Sequence, residues 1–220
     1  MRSFDEIFAI SAERKGGEVA LEAMLEKPLT AEQLADMPED RWLAQFTKSI
    51  FQAGFNWKVI ENKWDGFEAA FHGFDVGRCA FMDDEMFDRL LTDKAIVRNG
   101  TKIRAVQENA AFLLELREQG GAGKVLGGWP SRDYIGLLDL LKSQGSRLGG
   151  SSGQYALRFM GRDSFVLSRD VTARLIAEGV IDKPASSKRA MKAMQEAFNE
   201  WMDQSGRSLT EISRVLAMSL

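Results

Sequence analysis

Apolar residues recur every three or four positions along almost the whole chain, and that spacing commits it to helices packed face against face. Lys102–Gln119 is the clearest instance, with Ile103, Val106, Ala110, Leu113 and Leu114 on one side. Arg41–Asn62 repeats the pattern through Trp42, Leu43, Phe46, Ile50 and Phe51, then Trp57, Val59 and Ile60, and Gly54 is predicted to break it. Further helices are predicted over 17–26, over 31–37 behind a Thr30 cap, over 67–71, after Asp83 or Asp84, and over 131–144. Three more follow: after Ser168 or Asp170 up to Gly179, after Ser186 or Ser187, and over 208–218. Gly120–Gly128 reads as a loop; its GGAGK lacks the GxxxxGK[ST] spacing and the preceding strand of a phosphate-cradling loop. Four Pro against 20 Gly, 10 Met and 5 Trp also fit helices better than a sandwich of short strands. The reading is an all-α protein, one domain of two helical lobes around a cleft, the lobes being 1–40 with 170–220 and 41–169.

A single cysteine, Cys79, permits no internal disulfide, and with the lone His72 it falls short of the four Cys or His ligands of a structural zinc site. No metal and no cofactor are expected. His72 stands in AAFHGFD with no nucleophile motif beside it, so packing plus one hydrogen bond at a helix end is preferred to catalysis. Every apolar run is interrupted by charge before the roughly 18 residues of a membrane span. The opening MRSFDEIFAISAERKGG lacks a signal-peptide core, so a cytoplasmic location is expected.

The formal net charge of −3 hides a polarity: residues 1–100 hold 12 basic and 19 acidic side chains, and residues 101–220 hold 17 and 13. Between positions 142 and 174 stand Lys142, Arg147, Arg158, Arg162, Arg169 and Arg174 against Asp163 and Asp170, a candidate phosphate-facing surface or a solvated set of helix ends. Within it, Gly149, Gly150 and Gly153 form a Gly/Ser turn between two helices over 136–160. Backbone N–H groups bared at a helix start there suit a phosphate oxygen, and a plain helical corner equally. QAGFNW at 52–57 presents Phe55 and Trp57 on either side of Asn56. Aromatic residues at helical spacing are ordinarily core.

QAGFNWKVIENKWDGFEAAFHGFD, followed by IVRNGTKIRAVQENAAFLLEL, closely resembles the 3-methyladenine DNA glycosylase I family of the helix-hairpin-helix glycosylases, in the same order and nearly the same spacing. From Leu141 on, LGGSSGQYA, an apolar helix and VLSRDVTARL keep the family's hairpin pattern at lower identity. The resemblance implies a helix-hairpin-helix DNA glycosylase fold, with duplex DNA carrying alkylated bases as partner. It implies hydrolysis of the N-glycosidic bond of a base taken out of the stack, most readily 3-methyladenine. On that reading Arg147, Gly149, Gly150, Ser151, Ser152 and Gly153 grip the backbone, Gly54 and Phe55 fill the vacated stack, and Trp57 lies against the extruded base. Gln52 and Asn56 complete the substrate-binding stretch.

Three departures qualify the family's site. Its zinc-binding Cys and His residues are missing. Ser49 stands where the family carries a base-contacting Glu. Strict spacing puts Ser168 at the wider superfamily's catalytic Asp, whereas the nearest acid is Asp170, which is preferred as the anion facing the sugar. The family's pocket aromatics near the N-terminus map onto Phe8. No lysine occupies the hairpin as a Schiff-base nucleophile, so a monofunctional glycosylase without strand cleavage is expected. A monomer is the expected state. Three alternatives remain: a glycosylase of different lesion specificity, a helical DNA-binding protein that releases no base, and a helical interaction module that binds no DNA.

Overall fold

Short polar side chains set the helix starts. In the computed structural model, which describes residues 1–184 and 187–220, α1 (Phe4–Lys15) and α2 (Glu18–Glu22) open the chain. Seven helices follow: α3 (Ala31–Ala35), α4 (Glu39–Gln52), α5 (Trp57–Asn62), α6 (Trp64–Ala70), α7 (Val76–Ala80), α8 (Asp84–Thr92) and α9 (Gly100–Leu116). The chain then runs through α10 (Tyr134–Gln144), α11 (Ser151–Phe159), α12 (Arg169–Ala177), α13 (Lys188–Ser205) and α14 (Leu209–Met218). No strand occurs among the described residues, so the fold is all-α. Ser3, Thr30 and Ser208 close capping boxes with Glu6, Gln33 and Glu211. Asp83 caps α8 and Ser187 caps α13; Ser186, the other candidate for that cap, lies outside the described residues.

The chain divides into two compact units. One comprises 1–29, 130–136 and 161–220; the other comprises 30–129 and 137–160. In the first, α14 packs against α1, α12 and α13, and Phe165 stacks on Phe198 with centroids 4.4 Å apart. In the second, α9 lies against α4 and α7, and α11 packs on α4. Its core holds Trp42, Phe46, Phe51, Phe67, Phe71 and Phe74, with Phe71 and Phe74 stacked at 5.4 Å.

Two sequence expectations are corrected here. Gly120–Gly128 is not a simple loop: it contains a π-helical turn over Gly123–Gly127 packed on α3. A Cβ on Gly123 would collide with the Leu34 carbonyl, so this glycine serves close packing. His72 does not pack; it is exposed, with φ +55°, and its carbonyl accepts the Asp75 N–H at 3.3 Å.

Candidate active site

α4 ends where the sequence breaks its apolar run. Ala53 turns to an extended conformation (φ −61°, ψ 118°) and Gly54 to φ +70°, a value only glycine adopts readily. The Phe55 N–H then donates to the Gln52 carbonyl at 3.0 Å, and the Asn56 side chain accepts the Lys58 N–H at 3.0 Å to start α5. This sharp reversal turns two large aromatics outward: Phe55 is 47% exposed and Trp57 40%. Trp57 is thus not the core residue that aromatic spacing alone suggests.

Trp57 has neighbours that sequence spacing did not single out. Tyr155 and Phe159, one turn apart on α11, stand nearly perpendicular to the indole at 89° and 81°, with centroids 5.4 and 5.9 Å away. Their i, i+4 spacing directly after a Gly/Ser turn was the available signal. Between α4 and α11 opens a cleft of about 560 Å³, lined by Ser49, Gln52, Gly54, Phe55, Asn56, Trp57, Ser151, Ser152 and Tyr155 along with Ala53. Eight of the sequence-derived candidates therefore meet around one hollow.

Both turns flanking the cleft are pinned by α9. Lys102 donates from Nζ to the carbonyls of Phe51 (3.2 Å) and Ala53 (2.8 Å), placing a cation on the carboxyl end of α4. Burial lowers the Lys102 pKa, and the positive charge of Arg147 adds to the effect. Two turns further along α9, the buried Asn109 donates to the Ser146 carbonyl at 3.0 Å and accepts the Ser146 N–H at 2.8 Å. Asn109 thereby replaces a peptide partner for the Gly/Ser turn. Beyond it Arg147 is exposed in the left-handed region (φ +57°), uncommon for a side chain of its size. Gly150 precedes α11 with φ +66°, and no side chain caps that helix, so its leading N–H groups face outward. At Gly153 a side chain would run into the Leu148 carbonyl. Gly149 is exposed in the same turn.

The remaining candidates belong to the first unit. Ser168, not Asp170, caps α12, its hydroxyl accepting the Val171 N–H at 3.2 Å. Asp170 is exposed in the first turn and its carboxylate has no hydrogen bond or ion pair among the described residues. Phe8 is half-buried, its ring 6.0 Å from Phe4 and 4.9 Å from the Arg207 guanidinium. The proposed basic surface needs correction at two of its six members. Arg162 is buried and donates to the Asp163 carbonyl at 2.8 Å. Arg174 is buried too, bonded to Ser219 Oγ at 2.7 Å and paired with Glu178 at 3.2 Å. Neither faces a ligand phosphate. Among the described residues no group of three His, Cys, Asp or Glu is placed to hold a metal, and no helix is long and apolar enough to cross a membrane.

Residues 38–126 match the family model for methyladenine glycosylase. DNA-3-methyladenine glycosylase 1 of Escherichia coli (strain K12) is 36% identical over 69 residues, which are 31% of this chain and 37% of that protein. The match thus spans little more than a third of that curated relative. A crystal structure of a 3-methyladenine DNA glycosylase I is 22% identical, with 66% of this chain and 86% of that one covered at a TM-score of 0.46. The enzyme of that name from Staphylococcus aureus, in a structure describing 3-methyladenine recognition, is 21% identical over 70% of this chain and 91% of its own, with a TM-score of 0.47.

Proposed function

We propose, from the match of residues 38–126 to the family model for methyladenine glycosylase, that the chain is a monofunctional DNA glycosylase removing alkylated purines, foremost 3-methyladenine, from duplex DNA. The single observation that carries the reading is the half-exposed Trp57 indole at the cleft beside an uncapped helix start. A base can be hydrolysed only after leaving the stack, which requires a hold on phosphate, a wedge and an aromatic seat. The N–H groups at the start of α11, with Arg147, supply the hold. Gly54 and Phe55, at the outward reversal after α4, supply the wedge, and Trp57 the seat.

An alkylated adenine carries positive charge in DNA, so an indole face adds a cation–π contribution of about 1–2 kcal/mol to stacking. The same charge makes the base a good leaving group. What remains is an anion near the sugar to favour the oxocarbenium-like state and a water to attack it. Asp170 fits that part because Ser168 already caps α12, leaving its carboxylate uncommitted. Duplex DNA as partner, action as a monomer and a cytoplasmic location go with this reading, and the chain's residues need no cofactor for it.

The test is release of free 3-methyladenine from methylated duplex DNA by the purified chain. No release beside an active control overturns the reading. In the same assay Trp57→Ala is expected to lower release roughly tenfold to a hundredfold, through lost stacking and cation–π contact, while the loss of its contacts with Tyr155 and Phe159 lowers stability by about 1–3 kcal/mol and leaves the chain folded. Asp170→Asn is expected to lower turnover by about a hundredfold with DNA affinity nearly kept, and an unchanged rate would leave Asp170 as an ordinary surface residue.

A further inference from the structure

Gln52, the last residue of α4, is 4% exposed and lines the cleft. Its backbone carbonyl accepts the Phe55 N–H, yet its side-chain amide makes no hydrogen bond among the described residues. Other buried carboxamides of this chain are bonded. Asn109 exchanges two bonds with Ser146, and Gln195 accepts the Ile135 N–H at 3.0 Å while donating to the Ser131 carbonyl at 3.2 Å. The Gln52 amide atoms are not sealed from solvent, so at this cleft they hold only water and can exchange it for the polar edge of a ligand without breaking a bond within the protein.

Charge is the second observation. No Asp, Glu, Lys or Arg is among the residues lining this cleft. Its polar groups are neutral: the Gln52 amide, the Tyr155 phenol, the serines and Asn56, whose side-chain oxygen is engaged in starting α5. Ser49 Oγ accepts from Gln45 Nε2 at 3.1 Å and keeps its own proton to give. A carboxamide presents a donor beside an acceptor and pairs with any base edge offering the complement, whether or not the base is charged. A carboxylate, which only accepts, would select cations.

We propose that Gln52 reads the edge of the extruded base, and that base binding in this cleft therefore extends beyond cationic alkylated purines to uncharged purines with adjacent donor and acceptor, for which hypoxanthine is the probe. A neutral purine must take up a ring proton as its bond to the sugar breaks, and the cleft lining supplies no carboxylic acid for it, so Gln52 broadens binding and not release. This rests on the glycosylase reading and names the class of base the same cleft accepts. Trp57 alone then favours the cation.

The full chain is titrated calorimetrically with free 3-methyladenine and free hypoxanthine, and assayed for release of each from duplex oligonucleotides. Both free bases are uncharged near neutral pH and bind with affinities within about tenfold of each other, since the cation–π contribution enters only while the methylated base is still bonded to the sugar. Gln52→Leu weakens binding of both roughly tenfold to a hundredfold, the worth of one bidentate base contact, while its thermal midpoint stays level because the amide has no bond within the protein to lose. Gln52→Glu loses hypoxanthine, whose carbonyl the carboxylate repels, at least about tenfold more than 3-methyladenine. Three results overturn the proposal: no binding of either base, wild-type binding by Gln52→Leu, or a lowered midpoint in Gln52→Leu, which would make the amide structural. Gln52-dependent binding of both free bases without release from either DNA strikes the glycosylase reading alone and leaves base recognition by Gln52 standing.

Discussion

The Gly/Ser turn before α11 and the stretch around α12 carry similar positive charge in sequence and use it in opposite ways. Arg147 sits exposed on a left-handed backbone held by Asn109, with its guanidinium outside the packing. Arg174 is folded inward, where its guanidinium joins Ser219 and Glu178. Glu178 also accepts from the Arg2 backbone at 2.8 Å and from its guanidinium at 2.9 Å. Burial works to raise the Glu178 carboxyl, but these hydrogen bonds from Arg2 and Arg174 outweigh it and hold the group below the ordinary carboxylate value. The difference teaches that a basic run identifies phosphate-facing residues only after the internal acids have claimed theirs.

Truncating Arg174 is the strongest way to break the comparison. Arg174→Ala strands the buried Glu178 carboxylate with only Arg2 for company, and unfolding free energy should fall by about 3–5 kcal/mol. Urea melts read the loss directly. Because the folded carboxyl titrates below its unfolded value of 4.5, its stabilisation is present above that pH and fades as pH falls through the window beneath it. The variant's deficit should accordingly shrink toward acid, and a deficit constant in pH would contradict the assigned pair.

Lys102 offers a smaller effect with a sign of its own. Lys102→Met leaves the Phe51 and Ala53 carbonyls without their ammonium donor and should cost about 1–2 kcal/mol near neutrality. Burial lowers the folded pKa from 10.5, so in the window just below 10.5 the unfolded chain binds more protons and stability rises with pH. Melts of both proteins across that window should show this rise in the wild type and its absence in the variant. Parallel curves would mean that Lys102 is not desolvated in solution.

Helix order was legible because it depends on short-range spacing: the Gly54 break, the Thr30 cap and the face of α9 all follow from residues within a few positions of one another. What depends on contacts distant in sequence was not. Lys102 reads as one charge on an amphipathic helix until its Nζ is found on carbonyls some fifty residues earlier. Asn109 reads as a mid-helix polar residue until it meets Ser146. Arg162 and Arg174 look identical to Arg147 in a charge plot, since burial is decided by partners the plot does not contain. The cleft was half readable: the 52–57 reversal was visible, while Tyr155 and Phe159 needed α11 to be laid against α4.

The finest probe of the comparison is Arg147 itself. Alanine there keeps the left-handed residue and its conformational cost while removing only the guanidinium, so stability should change by less than about 0.5 kcal/mol. If the side chain meets a phosphate, duplex affinity falls a few-fold and the dependence of log affinity on log salt becomes shallower by about 1, uniformly across sequences. Filter binding at several salt concentrations measures that slope. An unchanged slope would mean that the strained backbone at this turn shapes the α10–α11 corner alone, and that the exposed arginine shares with buried Arg174 a role unrelated to DNA.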